Sequence, residues 1–323
     1  MARYDFGKGG LKVNGVPILG ADIPATKGEY FFVDYGSGDD GVGKKSNSIS
    51  RPFKTIAKAY ESCTTNKDDC IVLIGNSTHV LTAMLDVSKS RVHFIGLDGT
   101  VRRYGQNAKV SLGVTTAATD IATVQNTGVR NSFHNIKFMN SNTVAEGIYC
   151  FADGGEYTVM SFCELYKDTD LDVTGAAELL CNADGGQYFG CTFGSLVNAI
   201  SGAILRPCVK LNRETLTGKV ARDVTFENCL FWRKAGNAAN TYISAPGATD
   251  IERMLWVRRC TFINAKLAGA TPDECIKTAA QTEGQGLAED CISINNTKIS
   301  TSTGILITGA VPTYATSGIA IQS

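Results

Sequence analysis

The sequence predicts an all-β fold: a single-stranded right-handed parallel β-helix with an N-terminal capping helix and an extended N-terminal arm. Three observations carry this reading. First, a short strand-like motif returns as Cys163-Glu164-Leu165, Cys191-Thr192-Phe193, Cys229-Leu230-Phe231 and Cys260-Thr261-Phe262. Ile136-Lys137-Phe138 is an earlier copy and Cys291-Ile292-Ser293-Ile294 a later one, and the steps between equivalent positions are 27, 28, 38, 31 and 31 residues. Second, another series interleaves with these members: Ile148-Tyr149-Cys150, Leu179-Leu180-Cys181, Cys208-Val209-Lys210-Leu211, Tyr242-Ile243 and Cys275-Ile276 fall between them, and Ile305-Leu306-Ile307 follows the last. Each repeat therefore supplies at least two strands. Third, 34 glycines against 7 prolines favour many turns between short strands. A repeat of this size cannot bury its apolar face alone, whereas stacking coil on coil closes a continuous core.

Residues 1–29 read as the arm. Leu11 to Leu19 alternates around Asn14-Gly15, a hairpin signal, and Pro17 restricts the return strand to an edge. The apolar side chains Tyr4, Phe6, Leu11, Val13, Ile18 and Leu19 are the candidate partner-binding residues. Tyr30 to Asp34 is a short strand, followed by a glycine- and aspartate-rich loop over 35–43. That loop has some of the spacing of a calcium loop but lacks its terminal glutamate, and no metal is expected there. Ser50-Arg51-Pro52-Phe53 opens the capping helix, near 53–63, with Phe53, Ile56, Ala57 and Tyr60 on one apolar face. Cys70 to Gly75 is a buried strand, and short strands continue through the β-helix of residues 30–310. Asn135, Asn228, Asn264, Asn295 and Asn296 sit where asparagine can bond the backbone or turn left-handed. Residues 311–323 form a C-terminal strand or tail, apolar enough to pair with something.

Composition narrows the function. Hydrophobic residues make up 43% and charged ones 19%, which suits an ordered chain, and 31 basic residues balance 31 acidic ones. No bulk field draws in nucleic acid or an anionic membrane. Met1 to Gly10 lacks a basic-then-apolar leader and no apolar run spans a bilayer, so synthesis in the cytoplasm is expected. The 11 cysteines are spaced as neither a disulfide framework nor a zinc site. They read as small buried hydrophobes on the ladders, with Cys63 and Cys70 near enough to pair if oxidised.

Phe32 to Gly41, then Arg51 to Ala59, then Ile71 to Gly75 resemble the entry to pectin-lyase-like β-helices, in particular those of bacteriophage virion proteins. The resemblance covers residues 30–310. It implies the fold, a place on the virion surface, other virion proteins as partners and a homotrimer. Function does not follow from so versatile a fold.

Enzymes of this fold carry acidic clusters with a basic partner. Asp168, Asp170 and Asp172 would share a face if their segment were a strand, but a solvated turn is the expectation. Glu146, Asp153, Glu156, Glu178, Asp184 and Arg206 fall near one another in the repeat without a sequence-level alignment. The sequence places no histidine beside a serine or cysteine. No catalytic residues and no cofactor are therefore expected. The leading expectation is a non-enzymatic capsid decoration protein held by its arm. A tail spike or fibre binding host glycan is the alternative, and a polysaccharide lyase or glycoside hydrolase the second. Trp232 and Trp256 are the aromatic candidates for a glycan, though each is expected to pack beside a core ladder.

Overall fold

The computed structural model describes residues 28–75, 77–97, 105–113, 121–141, 148–167, 175–195, 206–213, 219–235, 238–265 and 271–308. It also gives the backbone of short strands within 4–17 and 311–322. Three parallel sheets of seven, ten and eight strands wrap one core, forming a right-handed parallel β-helix. One coil runs from Ala122–Asn126 in the seven-stranded sheet, through Ser132–His134 in the ten-stranded sheet, to Lys137–Asn140 in the eight-stranded sheet. The next coil opens at Tyr149–Asp153, directly beside Ala122–Asn126.

The first cysteine series lies in the eight-stranded sheet and stacks in register. Lys137 pairs with Glu164, Glu164 with Thr192, Thr192 with Leu230, Leu230 with Thr261 and Thr261 with Ile292. The preceding residues, Ile136 and then Cys163, Cys191, Cys229, Cys260 and Cys291, are buried in one column. Next to them Phe138, Leu165, Phe193, Phe231 and Phe262 fill the width of the coil. All eleven cysteines are free thiols, Cys63 and Cys70 included.

The second series differs from expectation in two ways. Cys181 lies beside Asp153 rather than beside Cys150, because Tyr149 pairs with Ala177 and Phe151 with Leu179. Ile305–Thr308 belongs to the ten-stranded sheet, next to Gln285–Glu289, and the seven-stranded sheet ends at Ile276–Thr278. Residues 295–304 pass that edge with backbone pairing only around Lys298 and Ile299, Ile276 N donating to Ile299 O at 2.8 Å. Side-chain bonds hold them beyond it: Ser302 Oγ accepts from Thr278 N at 2.9 Å, and Glu274 accepts from Thr301 Oγ1 at 2.6 Å. Side-chain bonds of this kind compete with a sheet ladder.

The ten-stranded sheet was not separated from the other two in the sequence. Its inward column, Phe31, Ile71, Phe94, Phe133, Met160, Tyr188, Phe226, Val257 and Ala288, is buried. It turns sharply into the eight-stranded sheet through left-handed residues. Asn135 and Asn228 fill that role as expected, but Phe162, Gly190, Arg259 and Asp290 fill it in other coils, and Asn295 is left-handed just past the eight-stranded sheet, after Ile292–Ile294.

The helix is shorter than expected, Ile56–Ser62, and its cap is Thr55 rather than Ser50. Thr55 Oγ1 accepts from Lys58 N at 3.2 Å. Asp40 accepts from Lys54 N at 2.8 Å, Thr55 N at 2.9 Å and Thr55 Oγ1 at 2.7 Å, pinning the chain in extended form up to the cap. Phe53 is consequently outside the helix, bridged to Val33 and fully buried. The helix still packs Ile56 and Ala59 into the first coil, which shields an otherwise open sheet end.

Tyr4–Asp5, Lys12–Val13 and Val16–Pro17 form a separate three-stranded antiparallel sheet, with Val13 opposite Val16. Val311–Ala315 and Gly318–Gln322 pair with each other, also antiparallel.

Candidate functional site

The outer face of the ten-stranded sheet carries the most reactive grouping of side chains. Alternation along a strand sends neighbours to opposite faces. With Phe94 and Phe133 inward, His93, Ser132 and His134 face out, and the register puts His93 beside Ser132. His93 Nδ1 lies 2.7 Å from Ser132 Oγ, and His93 Nε2 lies 3.5 Å from Asp68 Oδ1. Asp68 also accepts from Arg91 Nε at 2.8 Å and is bridged by Arg91 Nη2. A carboxylate at Nε2 fixes the tautomer with the proton there, leaving Nδ1 to accept from the Ser132 hydroxyl. Burial raises the Asp68 carboxyl, but hydrogen bonds from Arg91 and His93 outweigh it and hold the group below its usual value. Burial lowers His93, only partly offset by Asp68.

This arrangement overturns the expectation that no histidine meets a serine. The two residues are 39 positions apart and meet because one coil of the unrecognised third sheet separates them. The signal was present: Val92-His93-Phe94-Ile95 and Asn131-Ser132-Phe133-His134 align on their phenylalanines.

His93 and Ser132 line a cleft of about 350 Å³ with Arg130, Asn131, His134, Tyr157 and Val159. His134 is 6% exposed and its Nε2 has no hydrogen-bond partner. Tyr157, 54% exposed, rises over the cleft with the Arg130 guanidinium 5.8 Å from its ring. Val159 is shared with a second hollow of about 440 Å³, lined by Ser161, Gln187, Tyr188, Phe189, Thr225 and Glu227. The two hollows adjoin at Val159 and form a row, or trench, along the outer face of the sheet. Phe162 and Phe189 meet edge to face at 5.4 Å beside Ser161.

Two aromatic residues of one coil are left-handed, Tyr157 with φ 53° and Phe162 with φ 52°. Both are positions where neighbouring coils also turn left-handed, at Arg130 and Gly185 for Tyr157 and at Asn135 and Gly190 for Phe162, so the conformation belongs to the coil and places a ring at each turn. Each ring lies on a glycine of the next coil. A Cβ on Gly185 would come within 2.8 Å of the Tyr157 ring, and one on Gly190 within 2.8 Å of the Phe162 ring. The two glycines leave room for the rings and are themselves left-handed, with φ 70° and 60°.

The expected site residues fall elsewhere. Tyr4 and Val13 lie on the separate antiparallel sheet, while Phe6, Leu11, Ile18 and Leu19 are outside the described residues. Asp168, Asp170, Asp172 and Glu146 are also outside them. Glu178 and Arg206 do meet, at 3.2 Å, but inside the core. Asp153 is interior too, accepting from Tyr188 Oη at 2.7 Å and from Asn126, Thr158 and Gly155. Asp184 pairs with Arg222 at 2.8 Å on a turn. Glu156 and Asp184 do line one pocket, with Lys219 and Arg222, whereas Asp153, Glu178 and Arg206 are interior and take no part in it. In the 35–43 loop, Asp34 accepts from Gly36 N and Ser37 Oγ and Asp39 from Gly41 N, and no cluster of three or more metal-ligating side chains exists among the described residues. Trp232 and Trp256 occupy outward positions and are half-buried rather than packed in the core. Trp256 continues the trench column past Thr225, with Arg258 5.9 Å from its ring.

The cleft has a pH consequence. Burial and the neighbouring His93 push His134 down from 6.5 to about 4. Above pH 6.5 the group is neutral folded and unfolded; as pH falls from 6.5 towards 4 only the unfolded chain gains its proton, so stability is lost. The loss reaches about 3 kcal/mol by pH 4. Urea unfolding at pH 7 and pH 4.5 should show it, and His134→Asn should flatten that part of the profile. An unchanged slope in the variant would assign the acid loss to other groups.

No family model matches the chain, and no curated protein matches its sequence. Solved structures match in fold. The pectate lyase Pel9A gives a TM-score of 0.58 at 10% identity, covering 89% of this chain and 68% of that one. The pectin methylesterase of Aspergillus niger gives 0.53 at 12% identity, covering 88% and 83%. ORF18 of Geobacillus virus E2 gives 0.39 at 9% identity, covering 80% and 57%, too low a score to support an argument. At these identities the likeness concerns fold alone: the chain shares the parallel β-helix of pectin-acting enzymes.

Proposed function

We propose that this protein is a virion-surface β-helix that recognises an extended glycan along the outer face of its ten-stranded sheet. The observation that carries the reading is the row of two hollows that adjoin at Val159 and run from His93 to Thr225. It crosses five neighbouring strands, a length of about 19 Å at the usual strand spacing. Its lining suits a sugar chain. Tyr157 and Phe189 offer ring surface, while Ser132, Ser161, Gln187 and Thr225 offer hydroxyls and an amide that both donate and accept. Glu227, its carboxylate, is bridged by Arg259, a setting suited to accepting bonds from hydroxyls. The test is an array of bacterial surface polysaccharides probed with the intact protein. Retention of at least one is expected, and Tyr157→Ala with Gln187→Ala should weaken it about tenfold or more while leaving the circular dichroism spectrum unchanged. A protein that binds none of the array would sink the reading.

A second reading, decoration of a phage capsid by a homotrimer held through residues 1–29, is favoured by a different observation. The strands within 4–17 hydrogen-bond only with one another among the described residues, in a sheet distinct from the three that make the solenoid. Tyr4, Phe6, Leu11, Val13, Ile18 and Leu19 would then make the attachment. Deleting residues 1–29 should release the protein from particles that carry it, and hundreds of copies per particle would mark decoration rather than a tail spike.

A further inference from the structure

We infer that Asp68, His93 and Ser132 form a nucleophilic relay that hydrolyses carboxylic esters. The substrate class is an O-acyl group on a sugar hydroxyl; this part rests on the glycan reading of the trench.

The three residues come from three successive rungs of one sheet. Asp68 immediately precedes Asp69–Ile74, His93 lies on Val92–Leu97, and Ser132 opens Ser132–His134. The carboxylate at 3.5 Å orients the imidazole, and the imidazole meets the hydroxyl at 2.7 Å. A base held by a third group and in hydrogen-bond reach of a hydroxyl is the arrangement that activates serine, whatever the fold. Arg91 clamps Asp68 from the other side, so the orienting carboxylate is itself fixed.

Two further observations separate this grouping from an ordinary polar rung. The serine and histidine form part of the wall of the 350 Å³ cleft, so an acyl group has a place to sit. His134, two residues along on the same face, presents a buried Nε2 that has no partner. With its proton on Nε2 it would donate to the oxyanion that forms next to Ser132, as a preorganised donor should. Arg130, on the opposite side of Ser132 in the chain, brings a second donor to the same cleft.

The chemistry balances with water as the only co-reactant. Ser132 Oγ attacks the ester carbonyl carbon while its proton passes to His93 Nδ1. The tetrahedral intermediate collapses, the bond from carbon to the sugar oxygen breaks, and His93 returns the proton to that oxygen. Water then attacks the acyl-serine, giving a proton to His93. The acyl–Oγ bond breaks, the acid leaves, and the proton returns to Ser132.

The experiment uses the full chain with 4-nitrophenyl acetate and, separately, with a fluorophosphonate. Wild-type protein should release nitrophenolate faster than buffer, and peptide mass spectrometry should find the phosphonate on Ser132. Ser132→Ala should abolish both signals while Ser244→Ala, on the seven-stranded sheet, retains them. Asp68→Asn should lower the acylation rate about a hundredfold and displace its pH profile, as expected of a positioning residue. Wild-type protein that neither turns over the ester nor takes the label overturns the inference without needing a folded variant. So does label on another residue, or hydrolysis undiminished in Ser132→Ala. Glycan retention by a protein with no esterase activity would leave the trench reading standing, and esterase activity with no glycan retention would leave only the relay.

Discussion

Glu178→Ala should lower the unfolding free energy by about 3–5 kcal/mol. Glu178 lies on Ala177–Cys181 of the seven-stranded sheet and is 1% exposed. Arg233 grips both its oxygens, at 3.1 and 2.9 Å, and Arg206 reaches one of them at 3.2 Å. All three are buried. Without the carboxylate two guanidiniums would stay charged inside the core, since arginine does not give up its proton. Lys167 adds to the positive side: its ammonium, 3.3 Å from Asn140 Oδ1, is pushed down by burial to about 8. Glu178→Gln keeps an acceptor and should lose less, while Arg233→Met leaves one arginine on the carboxylate and should lose less again. Urea unfolding of the three variants gives the ranking. A loss below 1 kcal/mol for Glu178→Ala would show that water reaches the cluster.

The same cluster marks where the sequence stopped being readable. The repeat, the cysteine column and the asparagine turns were legible because they rest on local spacing: Cys191-Thr192-Phe193 announces its own place, and the register puts Phe193 beside Phe231. Glu178 and Arg206 were visible as charges, yet nothing local says that their side chains turn into the coil rather than out of it. The hydrophobic pattern of Ala177 to Cys181 is almost unbroken, and an unbroken pattern hides which face each residue takes. Ser132 and His93 failed to connect for a different reason. The ten-stranded sheet opens with long apolar strands, Asp69–Ile74 and Val92–Leu97, but continues with short ones carrying few apolar residues, Ser132–His134, Val159–Ser161 and Gln187–Phe189, so no common motif counts out one coil there. The helix was placed but not its cap, because the contact that sets the boundary, Asp40 to Thr55, joins a loop to a segment fifteen residues on.

Phe193→Ala should cost about 3–5 kcal/mol, the range for a fully buried aromatic that leaves a cavity. Its ring is 5.2 Å from Phe231, stacked, and lies edge-on to Phe226 at 5.7 Å and to Tyr188 at 6.3 Å. A globular core can relax into such a hole by shifting a helix. Here the neighbours sit on strands whose spacing is fixed by ladder hydrogen bonds on both sides, so the hole cannot close. Because each coil touches mainly the next, the damage should also be local. Amide exchange should accelerate most in Gln187–Phe189, Thr192–Gly194, Val224–Glu227 and Leu230–Arg233, which surround the cavity. Strands near the capping helix, such as Asp69–Ile74, should keep their protection. Acceleration spread evenly over all coils would mean that the solenoid unfolds as one cooperative unit rather than as a chain of neighbour contacts. Trp256→Ala, on the outer face of the ten-stranded sheet, provides the control: with the side chain half-buried and outside the coil, no core cavity forms and the loss should stay at about 1 kcal/mol.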